Sequence, residues 1–199
     1  MANKGKIAVL IEDHYDPTEY EMFNDYFPKQ GYEVEYVSHL WGNPAVTYWA
    51  NPEDGVIKNQ VTVTTEVNSV KPSDYKAIVL IGAYAADRLR YQEHVAKGQV
   101  NRAPTLDFLR EALKTKGLKI ATICHSLWLF CADPSLLKGR KVTCAHNIIC
   151  DVENAGGEFV YDEENKKVQD VVIDGNLISA WHPKVTDRFM ETIVREIEK

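Results

Sequence analysis

Short apolar runs recur along this chain with helical patterns between them. KIAVLIE (Lys6 to Glu12), YKAIVLIG (Tyr75 to Gly82) and LKIATIC (Leu118 to Cys124) are the clearest. Parallel strands need a crossover between them, and strands buried on both faces read as continuous apolar runs. The alternation therefore predicts βαβ units and a mainly parallel sheet with helices on both faces. LKIATIC, the most apolar, is expected near the centre. YEVEYVS (Tyr32 to Ser38) alternates and belongs nearer an edge. Trp41 to Gly55 reads as an aromatic loop, and Val56 to Val67 as one or two short strands. Arg140 to Ala145 is a further strand. EFVYDEE and VQDVVIDGNLISAW read as a hairpin turned at Asp174-Gly175-Asn176. Helices are expected over Pro17 to Gln30, Ala85 to Lys97, Pro104 to Lys116, His125 to Ala132, His146 to Gly156 and Lys184 to Glu198.

The 199 residues suit one domain spanning 1–199. A net charge of −6 without a Lys/Arg run argues against a nucleic-acid partner. No apolar run approaches the roughly 18 residues of a membrane span. The start, MANKGKIAVLIE, lacks a cleavage-site pattern, so no signal peptide is expected. Four cysteines outside any CxxC array fit a reduced, cytoplasmic setting. Neither GxxxxGK[ST] nor GxGxxG occurs, so no cofactor is expected.

Ligands of open α/β sheets bind outside the carboxyl ends of the strands. Four segments should end there: Glu12 to Glu19, Gly82 to Arg90, Cys124 to Ser126 and Cys144 to Asp151. In ATICHSLW a cysteine ends the most apolar strand and a helix follows at once. That arrangement forces a tight strand–Cys–helix elbow that exposes a nucleophile. A helix N-terminus would also favour the Cys124 thiolate. Against this stands the plain reading of Cys124 as a buried core cysteine. Asp16, Pro17 and Glu19 make a good N-cap and capping box, and equally place carboxylates at the sheet rim. Gly82 and Ala83 are either a turn or a source of oxyanion-binding amides. Asp87 is a helix-end charge or an acid that orients a histidine, and Arg88 and Arg90 read as solvated. Cys144, His146, Cys150 and Asp151 do not have a common zinc spacing, so no metal site is assigned. His182-Pro183 lines the pocket or starts the last helix. Trp41, Tyr48 and Trp49 suggest a pocket lid or an oligomer interface.

Taken in order, DPTEYE, VLIGAYAADRLR, ATICHS, LLKGRKVT, DVENAGGEFV and VVIDGNLISAWHP resemble the ThiJ/PfpI superfamily over nearly the whole chain, closest to its PfpI-type branch. The resemblance implies a class I glutamine amidotransferase-like, flavodoxin-like three-layer sandwich. It implies that Cys124 is the nucleophile, His125 its neighbouring histidine and Glu19 the acid contacting the sulfur. It also implies a homo-oligomer in which Asp87 reaches the histidine of a neighbouring subunit. Gly82 and Ala83, with the His125 amide, match an oxyanion hole. Ser126 and Ala83 stand where the family usually has glycine, and Trp181 and His182 replace an arginine and a small apolar residue. His146 stands at a frequent proline. These residues are expected to shape a small-molecule pocket. Three functions follow: glyoxalase-III-like or deglycase-like action on methylglyoxal-type carbonyls through Cys124; an intracellular peptidase or amidase using Cys124, His125 and Asp87; or a redox-sensing, chaperone-like protein with an oxidisable Cys124.

Overall fold

The computed structural model describes residues 3–52 and 55–199. Met1 and Ala2, at the start read as free of a signal peptide, and Glu53 and Asp54, in the Trp41–Gly55 loop, lie outside the described residues. In chain order the elements are β1 (Gly5–Leu10), α1 (Pro17–Lys29), β2 (Tyr32–Ser38), β3 (Val46–Trp49), β4 (Gln60–Val63), β5 (Thr65–Glu66), β6 (Ala77–Leu80), α2 (Ala85–Leu89), α3 (Pro104–Ala112), β7 (Lys119–Ile123), α4 (Trp128–Cys131), β8 (Lys141–Val142), α5 (Ile149–Asn154), β9 (Glu158–Phe159), β10 (Tyr161–Asp162), β11 (Lys167–Val168), β12 (Val171–Asp174), β13 (Leu177–Ala180) and α6 (Thr186–Ile197).

Seven strands form one sheet in the order β12-β13-β7-β6-β1-β2-β5. Only β12 runs antiparallel to its neighbour. All four β6 residues, and the last four of β1 and β7, are buried. That is why these strands read as unbroken apolar runs: helices cover both sheet faces. Helices α1 and α6 pack together, α1 on β2 and α6 on β7 and β13, while α2, α3, α4 and α5 form a second connected group. Phe23, Phe27 and Phe189 lock α1 to α6, with Phe23 and Phe189 ring centroids 6.4 Å apart. The result is the flavodoxin-like three-layer arrangement, and the carboxyl ends of β1, β6 and β7 open on one rim. Among the described residues no helix is long and apolar enough to cross a membrane.

Several elements depart from the sequence reading. The Trp41–Gly55 loop contains β3, paired antiparallel with β4. Only Tyr48 of β3 is buried, and four residues are too few to set the strand apart from the aromatic loop around it. The helix expected over Ala85 to Lys97 ends at Leu89, because Tyr91, Val95 and Val100 stay exposed and no apolar face continues. The helix expected to reach Lys116 stops at Ala112. The Arg140–Ala145 strand shrinks to β8, which leaves the main sheet and pairs in parallel with β9. The late hairpin divides: β12 and β13 turn at Asp174–Leu177 with Gly175 at φ 62°, while β10 and β11 form a separate ribbon.

Candidate active site

β7 runs directly into a turn at Cys124, whose φ of 58° lies in the left-handed region that a side chain adopts only under strain. Ser126 holds that turn. Its hydroxyl donates to the Ile123 carbonyl and accepts from the Ile123 N–H, both at 2.8 Å, and the residue is buried. Ser126 therefore builds the elbow and does not line the pocket, contrary to the expected substrate-binding role. The backbone amides of Ala83 and His125 lie near enough to the Cys124 sulfur to favour its thiolate. Ala83 sits at φ 54°, so this chain tolerates strain of about 1–2 kcal/mol at a position where glycine would be free of it. A strap from His14 to Tyr15 fixes this corner: the Tyr84 amide donates to the His14 carbonyl at 2.9 Å, and Tyr15 bridges Ala83 and Ala50.

Glu19 is fully buried on the first turn of α1. Asp16 caps that helix as expected, its carboxylate accepting the Glu19 N–H at 3.0 Å. The reciprocal half of the capping box does not form. The Glu19 carboxyl turns inward, where Oε2 accepts the Gly82 N–H at 2.6 Å. Gly82 is thereby removed as an oxyanion donor, because its amide is already used. Its bare Cα is what lets the site close: a Cβ there would lie 2.7 Å from Glu19 Oε1 and 3.0 Å from Cys124 Cβ. The carboxyl and the cysteine thus press against the same face of Gly82. Glu19 Oε1 is buried without a hydrogen-bond partner.

Burial drives the Glu19 pKa well above the carboxylate range, with Asp16 adding to the shift and the Gly82 amide opposing it. Glu19 therefore keeps its proton to higher pH than an ordinary carboxylic acid, and its unpaired oxygen is where that proton can sit. Burial also pushes the Cys124 thiol up, followed by the charges of Glu19 and Asp16, while the Ala83 and His125 amides pull it down. The helix N-terminus expected to depress the thiol is weak, since α4 has only four residues and begins at Trp128. A protonated Glu19 removes the larger of the two charges that oppose the thiolate.

His125 Nδ1 lies 3.1 Å from the Cys124 sulfur, and its Nε2 lies 2.8 Å from the amide nitrogen of Asn147. The Tyr84 ring stacks on the imidazole at 5.7 Å. Burial lowers the His125 pKa, with His146 and His182 pushing the same way and Asp87 opposing, so the neutral ring is favoured. Asp87 is half-exposed and pairs with Arg90 at 3.2 Å, acting on His125 only through space. Arg90 and Arg88 are engaged: Arg90 lies over Trp128, and Arg88 stacks on Trp41 beside the buried Glu12.

The sulfur opens into a cleft of about 450 Å³ lined by Cys124, His125, Ala83, Tyr84, Asp16 and His182, with Thr18, Asn51, Pro183 and Lys184 completing the walls. His182 accepts the Lys184 N–H on Nδ1, so Nε2 bears its ring proton. Trp181 and His146 lie outside this lining; Trp181 packs against His182 at a tilt of 40°, and His146 is exposed. Trp41 is not a lid over the cleft, since its indole donates to Glu12, and Tyr48 is core. Cys144 is fully buried, Cys150 is exposed, and Asp151 accepts from Trp128. Among the described residues no group of three or more His, Cys, Asp or Glu side chains could hold a metal ion. Sequence reasoning missed Asn147, Tyr84 and Asn51. The first two lie in the rim segments named above, and Asn51 lies in the Trp41–Gly55 loop, where the aromatic residues and not Asn51 drew the reading.

Residues 5–196 match the DJ-1/PfpI family. Protein/nucleic acid deglycase 2 of Escherichia coli K12 is 33% identical over 159 residues, 80% of this chain and 81% of that protein. Deglycase PfpI of Pyrococcus furiosus is 32% identical over 152 residues, 74% of this chain and 80% of that one. Among solved structures, Drosophila melanogaster DJ-1beta superposes with a TM-score of 0.73 at 21% identity, covering 99% of this chain and 91% of that one. A two-domain protein from Anabaena variabilis, with DJ-1/ThiJ/PfpI-like and ferritin-like domains, gives a TM-score of 0.80 at 24% identity. The match covers 98% of this chain but only 48% of that protein.

Proposed function

This chain belongs to the DJ-1/PfpI family, and on that premise we propose that it is a cysteine-dependent, deglycase-like enzyme acting on small reactive carbonyls of the methylglyoxal type. One observation carries the reading: a strained, cleft-facing Cys124 sits against Glu19, a carboxyl whose burial favours its neutral form, over the bare face of Gly82. A nucleophile paired with a neutral acid suits addition to a carbonyl followed by proton shuffling.

The reactive form is the thiolate, the thiol proton having passed to solvent, with Glu19 still carrying its own proton. The sulfur attacks the aldehyde carbon, a C–S bond forms, and the C=O pair moves to oxygen. The amides of Ala83 and His125 stabilise that oxygen while it is negative. Glu19 gives it a proton, leaving a hemithioacetal and a carboxylate. The carboxylate takes the hydrogen of the former aldehyde carbon as a proton, leaving an enediolate; the hydroxyl proton passes to the neighbouring oxygen, and Glu19 returns its proton to the former ketone carbon, giving a 2-hydroxy thioester. Water then cleaves the C–S bond, releasing lactate and regenerating the thiolate and the acid. An amine adduct of the same carbonyl would enter at the hemithioacetal stage, expelling its amine.

The peptidase reading draws less support, because His125 Nε2 is engaged by Asn147 and Asp87 by Arg90. A homo-oligomer with Asp87 at its interface, in a reducing cytoplasm, remains part of the proposal, and sedimentation of the full chain tests the assembly. The activity is tested by incubation with methylglyoxal: wild type forms lactate and Cys124→Ser does not. Equal lactate from both would remove the proposal.

A further inference from the structure

His125 has two ring nitrogens with different duties, and the geometry at each decides what the residue can do. Nδ1 faces the Cys124 sulfur at 3.1 Å. Nε2 faces the side-chain nitrogen of Asn147 at 2.8 Å. An amide nitrogen only donates, so Nε2 must accept, and the single proton of a neutral imidazole is then on Nδ1. We infer that Asn147 is a positioning residue that fixes this tautomer, so that His125 meets Cys124 as a hydrogen-bond donor and not as a base. The inference deepens the proposed reaction and rests on Cys124 being its nucleophile.

The surroundings agree. Asn147 belongs to a 3-10 turn, His146–Ile148, which leads into α5. The Ala145 amide, just before that turn, donates to the Cys124 carbonyl at 3.1 Å, so the turn is tied to the elbow. Tyr84 stacks on one face of the His125 ring, and Trp128 lies 5.2 Å away, so the ring plane is held. The other titratable groups facing it are Asp87 on α2, His146 on the same turn as Asn147, and His182 ahead of α6. None of them has a hydrogen bond to the ring. A carboxylate in place of Asn147 would accept a proton from Nε2 and turn the Nδ1 lone pair toward the thiol. That is the arrangement a cysteine peptidase needs. An asparagine amide oriented as here withholds it. The Nδ1–H instead joins the Ala83 and His125 amides around the sulfur, and proton transfer is left to Glu19.

Two measurements test this on the full-length protein. Nitrogen-15 NMR of ring-labelled histidine, with His125 assigned by loss of its signals in His125→Gln, should find the proton on Nδ1 near neutral pH; a proton on Nε2 overturns the inference. The rate of Cys124 alkylation by iodoacetamide against pH gives the second readout. Asn147→Ala should slow alkylation about tenfold at neutral pH, the change that one unit of thiol pKa makes. Asn147→Asp should shift the profile toward acid by creating an imidazolium–thiolate pair. Asn147 is exposed, and unchanged thermal unfolding verifies that both variants fold. A profile for Asn147→Ala that superimposes on wild type overturns the inference. Alkylation and the tautomer do not depend on which carbonyl is the substrate. Wild type that makes no lactate yet shows both effects would sink only the substrate assignment.

Discussion

Replacing Gly82 by alanine adds one methyl group at the point where Glu19 and Cys124 meet. Its Cβ would lie 2.7 and 3.0 Å from the two Glu19 carboxyl oxygens and 3.0 Å from Cys124 Cβ. Gly82 is not in the left-handed region, so the backbone itself does not resist the change. The neighbours do. Glu19 is fully buried and cannot swing to solvent, and Cys124 is pinned by the Ser126 elbow. Overpacking together with stretching of the 2.6 Å bond from Gly82 N–H to Glu19 should cost about 2–4 kcal/mol. Urea denaturation should show this as a lower midpoint at unchanged slope. The same experiment on Glu19→Ala and on the double variant closes a cycle. Removing the carboxyl empties the space the methyl group needs, so the two costs should fall short of additivity by about 1–2 kcal/mol. A Gly82→Ala cost below about 0.5 kcal/mol, or strict additivity, would refute the packing argument.

Glu19→Gln should be more stable than wild type at neutral pH. Burial raises the folded-state pKa of Glu19 above its ordinary value of 4.5. Its contribution is therefore fully present below pH 4.5 and is lost as pH rises through the folded-state pKa. Melting temperatures from pH 4 to 8 (roughly the window that linkage defines) should show the advantage of the glutamine vanish on the acid side. A glutamine variant less stable than wild type at pH 7 would contradict the sign. Ser126→Ala removes both elbow hydrogen bonds and should cost about 1–3 kcal/mol, with slower Cys124 alkylation; calorimetry and the alkylation rate check both.

Much of the architecture was legible because burial on two faces writes itself into sequence. β1, β6 and β7 read as apolar runs for that reason, and the Asp16 cap and Asp174–Asn176 turn follow from local chemistry. The turn at Cys124 was legible from an apolar strand that ends on a cysteine, although the helix expected to start at His125 begins only at Trp128. β3 was not, because one buried tyrosine among four residues leaves no period to detect, and its pairing with β4 is a tertiary fact. The inward turn of Glu19 was hidden by the capping box it imitates, and only the close approach at Gly82 resolves the two. Asn147 is 22 positions from His125. Its amide reaches the imidazole because the His146–Ile148 turn is tied back to the elbow, and no sequence period encodes that. Asp87 looked like a partner by family position, but within the chain Arg90 claims it.

The central claim is that a neutral, buried Glu19 supplies and recovers the proton that Cys124 chemistry requires. Glutamine reproduces the neutral acid in shape and can still satisfy the Gly82 amide, but it cannot transfer a proton. The direct test compares wild type with Glu19→Gln at pH 7 in two assays, iodoacetamide alkylation of Cys124 and lactate formation from methylglyoxal. The account predicts alkylation close to wild type and lactate formation lowered by about two orders of magnitude or more; alkylation tenfold faster than wild type, which would mean an ionised carboxylate in the native site, or undiminished lactate formation, would contradict it.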